Sequence, residues 1–204
     1  MVNIVMSNMS LDKRWCRLEL RDYIRPESRV TVFGFEMYQE KISEDETWEE
    51  FYDKRTGAFY DYITEPFAFF SVTAKSIKWI NYTKDTAISA KRKIQNSDVL
   101  IFTDGKLTEM MKIIDSMGLA DTIKNYKGVI IGFGMGGLIQ CRDNLGLVDN
   151  INVKISFDEM DYDFDELKKE AEDSKIPIYG ITDDGAVVSD NGNISILGDV
   201  YIIE

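Results

Sequence analysis

The stretch Lys127-Gly-Val-Ile-Ile-Gly-Phe-Gly-Met-Gly-Gly-Leu-Ile-Gln140 decides how the chain is interpreted. It begins with a short apolar run, Val129 to Ile131, which predicts a buried strand. Four glycines follow within six residues and predict a tight turn, after which a helix can start at Leu138. A strand, a sharp turn and a helix form the setting of the nucleophile elbow of hydrolases.

The predicted elbow contains no nucleophile. The elbow motif G-x-S-x-G has a serine at its centre, whereas here the pattern reads Gly132-Phe-Gly134-Met-Gly136. The chain also contains no histidine, the usual base for such a serine. The stretch therefore predicts the frame of an active site without its usual chemistry.

Composition limits the class of protein. The 204 residues suit a single domain, and a hydrophobic content of 44% is enough for a substantial core. The formal net charge of −12 would repel nucleic acid and anionic membranes, so neither is predicted to be a partner. It favours neutral or cationic ligands. Two cysteines, Cys16 and Cys141, are too few for a disulfide framework and indicate a reducing cytoplasm. The N-terminus predicts a first strand and no signal peptide, and no stretch approaches the roughly 20 apolar residues of a membrane span.

Predicted strands and helices alternate along the chain. Strands are predicted at residues 2–6, 29–35, 74–82, 98–102, 129–131, 151–157, 176–181 and 200–203. Helices are predicted at 11–24, about 46–62, 85–94, 107–116, 119–126 and about 158–175. A hairpin with a type I′ turn at Asn191-Gly192 is predicted to join 186–189 to 194–197. The alternation predicts one α/β domain with a mostly parallel sheet covered on both faces, and ligand sites at the carboxyl ends of its strands.

Two of the turns at that edge carry a family resemblance. Asp98-Val-Leu-Ile-Phe-Thr-Asp-Gly-Lys-Leu107 resembles the first motif of the dipeptidase E and cyanophycinase family of serine peptidases, a strand followed by Gly-Gly-Gly-Asn-Thr. The glycine stretch after residue 131 is similar to the second motif, Gly-x-Ser-Ala-Gly-Ala. Ser7-Asn8, Leu145 to Asp149 and Ile181 to Ala186 are also similar and occur in the family's order. The resemblance implies a three-layer, flavodoxin-like fold of the class I glutamine amidotransferase type over residues 1–204.

The resemblance also implies where a catalytic site would lie. It places Gly134 at the nucleophile position and Gly105 and Met135 at the oxyanion-hole positions. The family histidine would be expected within residues 153–156, which contain none. Removing either the serine or the histidine of a catalytic triad costs most of the rate, and here both are absent.

Three aspartates are candidate remnants of acidic site residues. Thr103 and Asp104 replace the neighbours of Gly105 in the family motif, and an anionic Asp104 would oppose the charge of a developing oxyanion. Asp149 and Asp184 are either further remnants or ordinary loop aspartates.

Three other signals have a plainer interpretation beside the functional one. Gly132 to Gly137 matches the dinucleotide motif G-x-G-x-x-G, with Asp149 near the required spacing, although the intervening helix is short and interrupted at Gly146. Asp161, Asp163, Asp165 and Glu172 imitate a calcium loop, but Glu166 stands where that loop needs glycine, which favours an acidic helix start. Cys141, predicted within the elbow helix, has no histidine as base and is expected to be a buried thiol. No metal and no cofactor are predicted.

These observations lead to one favoured hypothesis and two alternatives. The favoured one is a peptidase homologue without peptidase activity that binds a small molecule or a protein partner in the cleft above Gly134, which we call the relic cleft. The first alternative is a hydrolase whose chemistry uses carboxylates such as Asp104, Asp149 or Asp184. The second alternative is nucleotide binding at the Gly132 to Gly137 turn. We also predict a positive φ angle at Gly134.

Overall fold

A computed structural model describes residues 1–35 and 48–204 of the chain. Within these residues the strands form one eight-stranded sheet, in the order β3-β2-β4-β5-β1-β7-β6, with β8 paired to β7. The strands are β1 (Val2–Met6), β2 (Val30–Phe33), β3 (Ile77–Ile80), β4 (Val99–Phe102), β5 (Val129–Phe133), β6 (Asn152–Ile155), β7 (Ile178–Asp190) and β8 (Asn193–Ile203). All pairs are parallel except β1 with β7 and β7 with β8. The predicted α/β class, the mostly parallel sheet and the interior position of β5 are confirmed.

Helices cover both faces of this sheet. The α-helices are α1 (Trp48–Tyr52), α2 (Tyr60–Thr64), α3 (Ala87–Gln95), α4 (Leu107–Ser116), α5 (Ala120–Lys124), α6 (Met135–Leu138) and α7 (Phe164–Ser174). Side chains of α3, α4 and α5 pack in one cluster with Leu100, Phe102 and Ile130 of the sheet. Segments 11–24 and 48–72 pack against the opposite face, around Ile101 and Ile131. Neighbouring residues of β4 and β5 thus enter different cores, which is why both strands are uninterrupted apolar runs.

The predicted helix at 11–24 is wrong. The segment is a series of turns that ends in a 3₁₀ helix, Glu19–Asp22, although Leu11, Cys16 and Leu20 are all buried. The Cys16 N–H donates to the carbonyl of Lys13 at 3.2 Å, and the Cys16 thiol donates to the carbonyl of Ser10 at 3.1 Å. The apolar spacing thus indicates correctly that one side of the segment is buried. The backbone N–H groups, however, form the local hydrogen bonds of tighter turns and not those of an α-helix.

Three further helices differ from the prediction in their bounds. The helix predicted at about 46–62 is divided into α1 and α2, because the Asp53 carboxylate accepts the backbone N–H of Arg55 at 2.9 Å and stabilises a turn; its residues 46 and 47 lie outside the described residues. The helix predicted to start at Leu138 is instead α6, which begins at Met135, directly after Gly134, and ends at Leu138. The helix expected from about residue 158 begins at Phe164, because Asp163 caps it there.

The carboxyl-terminal strands also differ from the prediction. The strand predicted at 176–181 begins at Ile178 and continues through 186–189 as one strand, β7, whose pairing with β8 is irregular between Ile181 and Gly185. The part before this irregularity pairs with β6 and the part after it pairs with β1, so β7 lies inside the sheet. The hairpin is confirmed, with positive φ at both Asn191 and Gly192, and only its second strand flanks the sheet. Among the described helices, none has the length and apolar character that a membrane crossing requires.

Candidate functional site

Gly134 connects the end of β5 to the start of α6 in an unusual backbone conformation. Its φ angle is +57° and its ψ angle is −134°, which confirms the predicted positive φ. Its N–H donates to the carbonyls of Met6, at 3.1 Å, and Ser7, at 3.0 Å, at the carboxyl end of β1. The Leu138 N–H in turn donates to the carbonyl of Gly134 at 3.3 Å. The turn is therefore fixed between two central strands.

The two glycines that flank Gly134 in the motif are required by packing. A β-carbon on Gly132 would lie 1.8 Å from the carbonyl oxygen of Gly136. A β-carbon on Gly136 would lie 2.3 Å from the carbonyl oxygen of Phe102, the last residue of β4. The glycine spacing thus follows from the close approach of the turn to the neighbouring strand, and it needs no bound ligand to explain it.

The carboxylate of Asp104 occupies the space beside Gly134. A β-carbon on Gly134 would lie 2.4 Å from Asp104 Oδ1 and 2.5 Å from its Cγ. The same Oδ1 accepts the backbone N–H of Met135 at 2.8 Å. One side chain thus fills the place where a nucleophile would project and accepts the N–H that the family resemblance assigns to the oxyanion hole. Met135 and Asp104 are both half-buried.

The turn that carries Asp104 is anchored by the residue before it. Thr103 is fully buried, and its Oγ1 accepts the N–H of Phe35 at 2.8 Å and the hydroxyl of Tyr52 at 3.2 Å. Gly105 follows Asp104 in the same turn, one residue before the α4 N-cap, Lys106. Thr103 therefore positions the aspartate that follows it.

Ser7 joins the end of β1 to the segment where the family histidine would be expected. Its hydroxyl donates to the carbonyl of Ile181 at 2.8 Å and accepts the N–H of Ser156 at 2.8 Å. Ser156 has a φ angle of +48°, so residues 153–156 end in a constrained turn beside Ser7. The Ser7-Asn8 motif indicates Ser7 from the sequence, whereas Ser156 has no sequence signal of its own for this contact.

The two remaining candidate acids lie at different ends of the sheet. Asp184 is exposed and lies in the irregular part of β7 next to Asp183, whose carboxylate accepts a hydrogen bond from the side-chain amide of Asn8 at 2.9 Å. This part of β7 is therefore at the carboxyl end of β1, as Gly134 is. Asp149 is exposed, and the side chain of the next residue, Asn150, donates to the carbonyl of Gly192 at 3.1 Å.

Gly192 belongs to the hairpin turn in which the Asn191 N–H donates to the carbonyl of Met1 at 3.3 Å. Asp149 therefore lies near the amino-terminal end of β1. The structure brings Asp104 to Gly134 and does not bring Asp149 there. The roles of Asp149 and Asp184 as remnant site acids stay predictions.

The thiols and the acidic segment have local explanations. Cys141 lies beyond α6 and not within it, and the residue is half-buried where a buried thiol was expected. Desolvation of the thiol, and then the negative charge of Asp143, raise the pKa of Cys141 to about 12. Asp163 Oδ1 accepts the N–H of Asp165 at 2.9 Å and so caps α7. Across residues 1–35 and 48–204, no group of three or more potential metal-binding side chains is found.

The Gly132 to Gly137 turn does not have the surroundings of a dinucleotide site. Such a site uses a glycine turn that opens a full helix, with an acidic residue about twenty positions on to contact a ribose. Here α6 has only four residues, and Asp149 lies near the opposite end of β1. The nucleotide-binding alternative therefore loses both features that would support it.

Solved structures with the same fold belong to proteins named as peptidases. One is a Listeria monocytogenes EGD-e protein whose name refers it to peptidase E, with a TM-score of 0.69 at 11% identity over 97% of this chain and 98% of that one. Another is a peptidase from an acI-B1 Actinobacterium, with a TM-score of 0.61 at 11% identity over 100% of this chain and 90% of that one. No protein-family model and no curated protein sequence matches the chain. At this identity the likeness shows a peptidase E-like fold.

Proposed function

We propose that this chain is a non-hydrolysing protein with a peptidase E-like fold that binds a neutral or cationic small molecule, or a protein partner, in the relic cleft. One observation carries the proposal: Asp104 Oδ1 lies 2.8 Å from the Met135 nitrogen and would lie 2.4 Å from any β-carbon on Gly134. A hydrolase of this type needs a nucleophilic side chain at the position of Gly134 and a backbone N–H, at the position of Met135, that is free to stabilise an oxyanion.

The position of Asp104 also weighs against a carboxylate-based hydrolase. An oxyanion forms when a nucleophile attacks a carbonyl, and backbone N–H groups stabilise it. The Met135 N–H is already accepted by a carboxylate, whose negative charge would repel a second anion. Ser156, in the segment of the expected histidine, uses its N–H to hold Ser7 and offers no imidazole.

The charge near Gly134 supports a cationic or neutral ligand. Asp104 lies beside Gly134, and Asp183 and Asp184 lie in the irregular part of β7 that contacts Asn8 at the same end of β1. The chain as a whole has a formal net charge of −12. An ammonium group or an amide N–H can pair with the Asp104 carboxylate without displacing the Met135 N–H, since a carboxylate has room for several donors.

Two measurements on the same samples test the proposal. The wild-type protein is assayed against aspartyl dipeptides and simple amides, and we expect no turnover. A set of amine-bearing and neutral dipeptides is then titrated while amide NMR shifts are followed, and we expect saturable shifts at Gly134 and Met135. Asp104→Asn should weaken the binding of amine-bearing ligands by about tenfold because it removes the charge, whereas Glu172→Gln on the exposed face of α7 should leave it unchanged.

Turnover by the wild type that disappears in Asp104→Asn would establish the carboxylate-based hydrolase in place of the binding protein. Saturable binding that is equally weakened by Glu172→Gln would show that net charge, and not the relic cleft, attracts the ligand.

A further inference from the structure

A pocket of about 580 Å³ lies at the amino-terminal ends of β2 and β3. The relic cleft is at the opposite, carboxyl ends of the parallel strands. The charged residues that line this pocket are all cationic, although the chain contains 36 Asp and Glu against 24 Lys and Arg. We call it the basic pocket; its cationic residues are Arg29, Lys75, Lys78, Arg92 and Lys93.

Three of these five cations have no carboxylate partner within the described chain. The Arg29 guanidinium makes a two-pronged contact with Asp98, at 2.9 Å and 3.0 Å. The Lys93 ammonium contacts Asp85 at 2.6 Å. The remaining three are exposed and form no ion pair with residues 1–35 or 48–204; they are Lys75, Lys78 and Arg92.

Regular secondary structure holds the walls of the basic pocket. Lys78 lies opposite Thr31 in the parallel pairing of β3 with β2, so both side chains point to the face that α3 covers. The Thr31 hydroxyl donates to the carbonyl of Lys93 at 3.2 Å and ties α3 to β2. Arg92, the neighbour of Lys93, projects from this tied helix. The unpaired charges are therefore brought together by a fixed helix–sheet contact.

We propose that the basic pocket binds a small molecule that carries a phosphate or pyrophosphate group. Lysine and arginine are the side chains that recognise phosphate, and a cavity of this volume is within the usual range for small-molecule sites. At physiological ionic strength charges are screened over about 8 Å, so the nearby cations dominate for a small anion in the pocket. A long nucleic acid would extend over the acidic remainder of the surface and be repelled.

Titration calorimetry with inorganic pyrophosphate tests the basic pocket. We expect one saturable site whose affinity falls as sodium chloride is raised. The double variant Lys78→Gln/Arg92→Gln should weaken binding by at least about tenfold, since it removes two charged donors. The matched control Lys168→Gln/Lys169→Gln removes the same charge from the exposed face of α7, and it should change the affinity less than about twofold. Circular dichroism verifies that both double variants fold.

Competition experiments distinguish the possible sources of the phosphate group. A sugar phosphate and a nucleoside diphosphate are titrated against bound pyrophosphate, and displacement by either supports a phosphorylated small molecule and ranks the two. Three results would overturn the proposal: no saturable binding to the wild type, an equal loss in both double variants, or tighter binding of a short RNA duplex than of pyrophosphate. Because Asp104 lies at the other end of the sheet, Asp104→Asn should not affect pyrophosphate binding. The proposals for the relic cleft and for the basic pocket can therefore be refuted independently.

Discussion

Asp104 and Met135 are 31 residues apart in the chain and are joined by a 2.8 Å hydrogen bond from the Met135 N–H to the Asp104 carboxylate. The bond follows from the parallel pairing of β4 with β5, in which Phe102 lies opposite Gly132. The two turns that follow these strands are therefore neighbours. A side chain of the protein itself thus satisfies the backbone donor of the elbow turn.

We predict that Gly134→Ala destabilises the protein by about 1–3 kcal/mol, because a β-carbon at positive φ is strained and would overlap the Asp104 carboxylate. Urea unfolding followed by circular dichroism measures the change. Gly192→Ala is the matched control: Gly192 also has a positive φ, of +88°, but a β-carbon there meets nothing within 4 Å. Equal losses of stability in the two variants would mean that the overlap with Asp104 is absent.

A double-mutant cycle isolates the overlap itself. Asp104→Ala removes the carboxylate and the hydrogen bond to Met135, which should cost about 1 kcal/mol. In that background Gly134→Ala should cost less than in the wild type, with a coupling energy of about 0.5–3 kcal/mol. Strict additivity of the two changes would contradict the contact between Asp104 and residue 134.

Gly134→Ser should not create peptidase activity. A serine hydroxyl is a weak nucleophile without a base, and no histidine exists in the chain. The double variant Asp104→Gly/Gly134→Ser removes the overlapping carboxylate as well, and we expect it to be equally inactive. Both are assayed with aspartyl dipeptides at high enzyme concentration. Turnover by either variant above that of the wild type would show that another side chain of the protein acts as the base.

Stability should fall as the pH rises from about 9 towards about 12. Burial is the largest cause that raises the pKa of Cys16 and of Cys141 from 9.0 to about 12. Above pH 9 the unfolded chain loses these thiol protons while the folded chain retains them, so the free energy of unfolding decreases until the pH passes the folded value. Urea midpoints at intervals of pH test this. The variant Cys16→Ala/Cys141→Ala should show a shallower decline, and an unchanged decline would contradict the two thiol pKa shifts.

Acid should remove the stabilisation that Asp85 supplies. Burial acts to raise the pKa of Asp85, but hydrogen bonds from Lys93, Ser89 and the Asn81 N–H outweigh it and keep that pKa below its ordinary value of 3.8. A depressed pKa contributes stability above the unfolded value and loses it as the pH falls through the folded one. We expect Asp85→Asn to cost about 1–3 kcal/mol at neutral pH and progressively less below about pH 4. A cost that is independent of pH would contradict the charged contact.

The sequence predicted those features that depend on neighbouring residues along the chain. The apolar run of β5, the turn after it and the positive φ at Gly134 all follow from local glycine and apolar spacing. The acidic residues before α7 were also interpreted correctly in favour of a helix start, since Asp163 is its cap. The type I′ turn at Asn191-Gly192 was predicted for the same local reason.

Features that depend on contacts between distant segments were not predictable in this way. The sequence indicates that the charge of Asp104 would oppose an oxyanion. The contact of Asp104 with Gly134, however, depends on the register between β4 and β5. The segment 11–24 has the apolar spacing of a helix, and only its tertiary surroundings select turns there. The basic pocket combines Lys75 and Lys78 with Arg92 of α3, so no single stretch of sequence shows the cluster.

The position of β1 sets the order in which the chain can complete its fold. Val2 pairs with Val129 on one side and with Asp190 on the other, so the first strand of the chain lies between β5 and one of the last strands. During synthesis one edge of β1 has no partner until residues 186–190 have left the ribosome. Contacts of such wide sequence separation slow folding, because the loop must close before the pairing is gained. Throughout that interval the unpaired edge of β1 can pair with other chains. The nascent protein is therefore exposed to aggregation until β7 is made and pairs with β1.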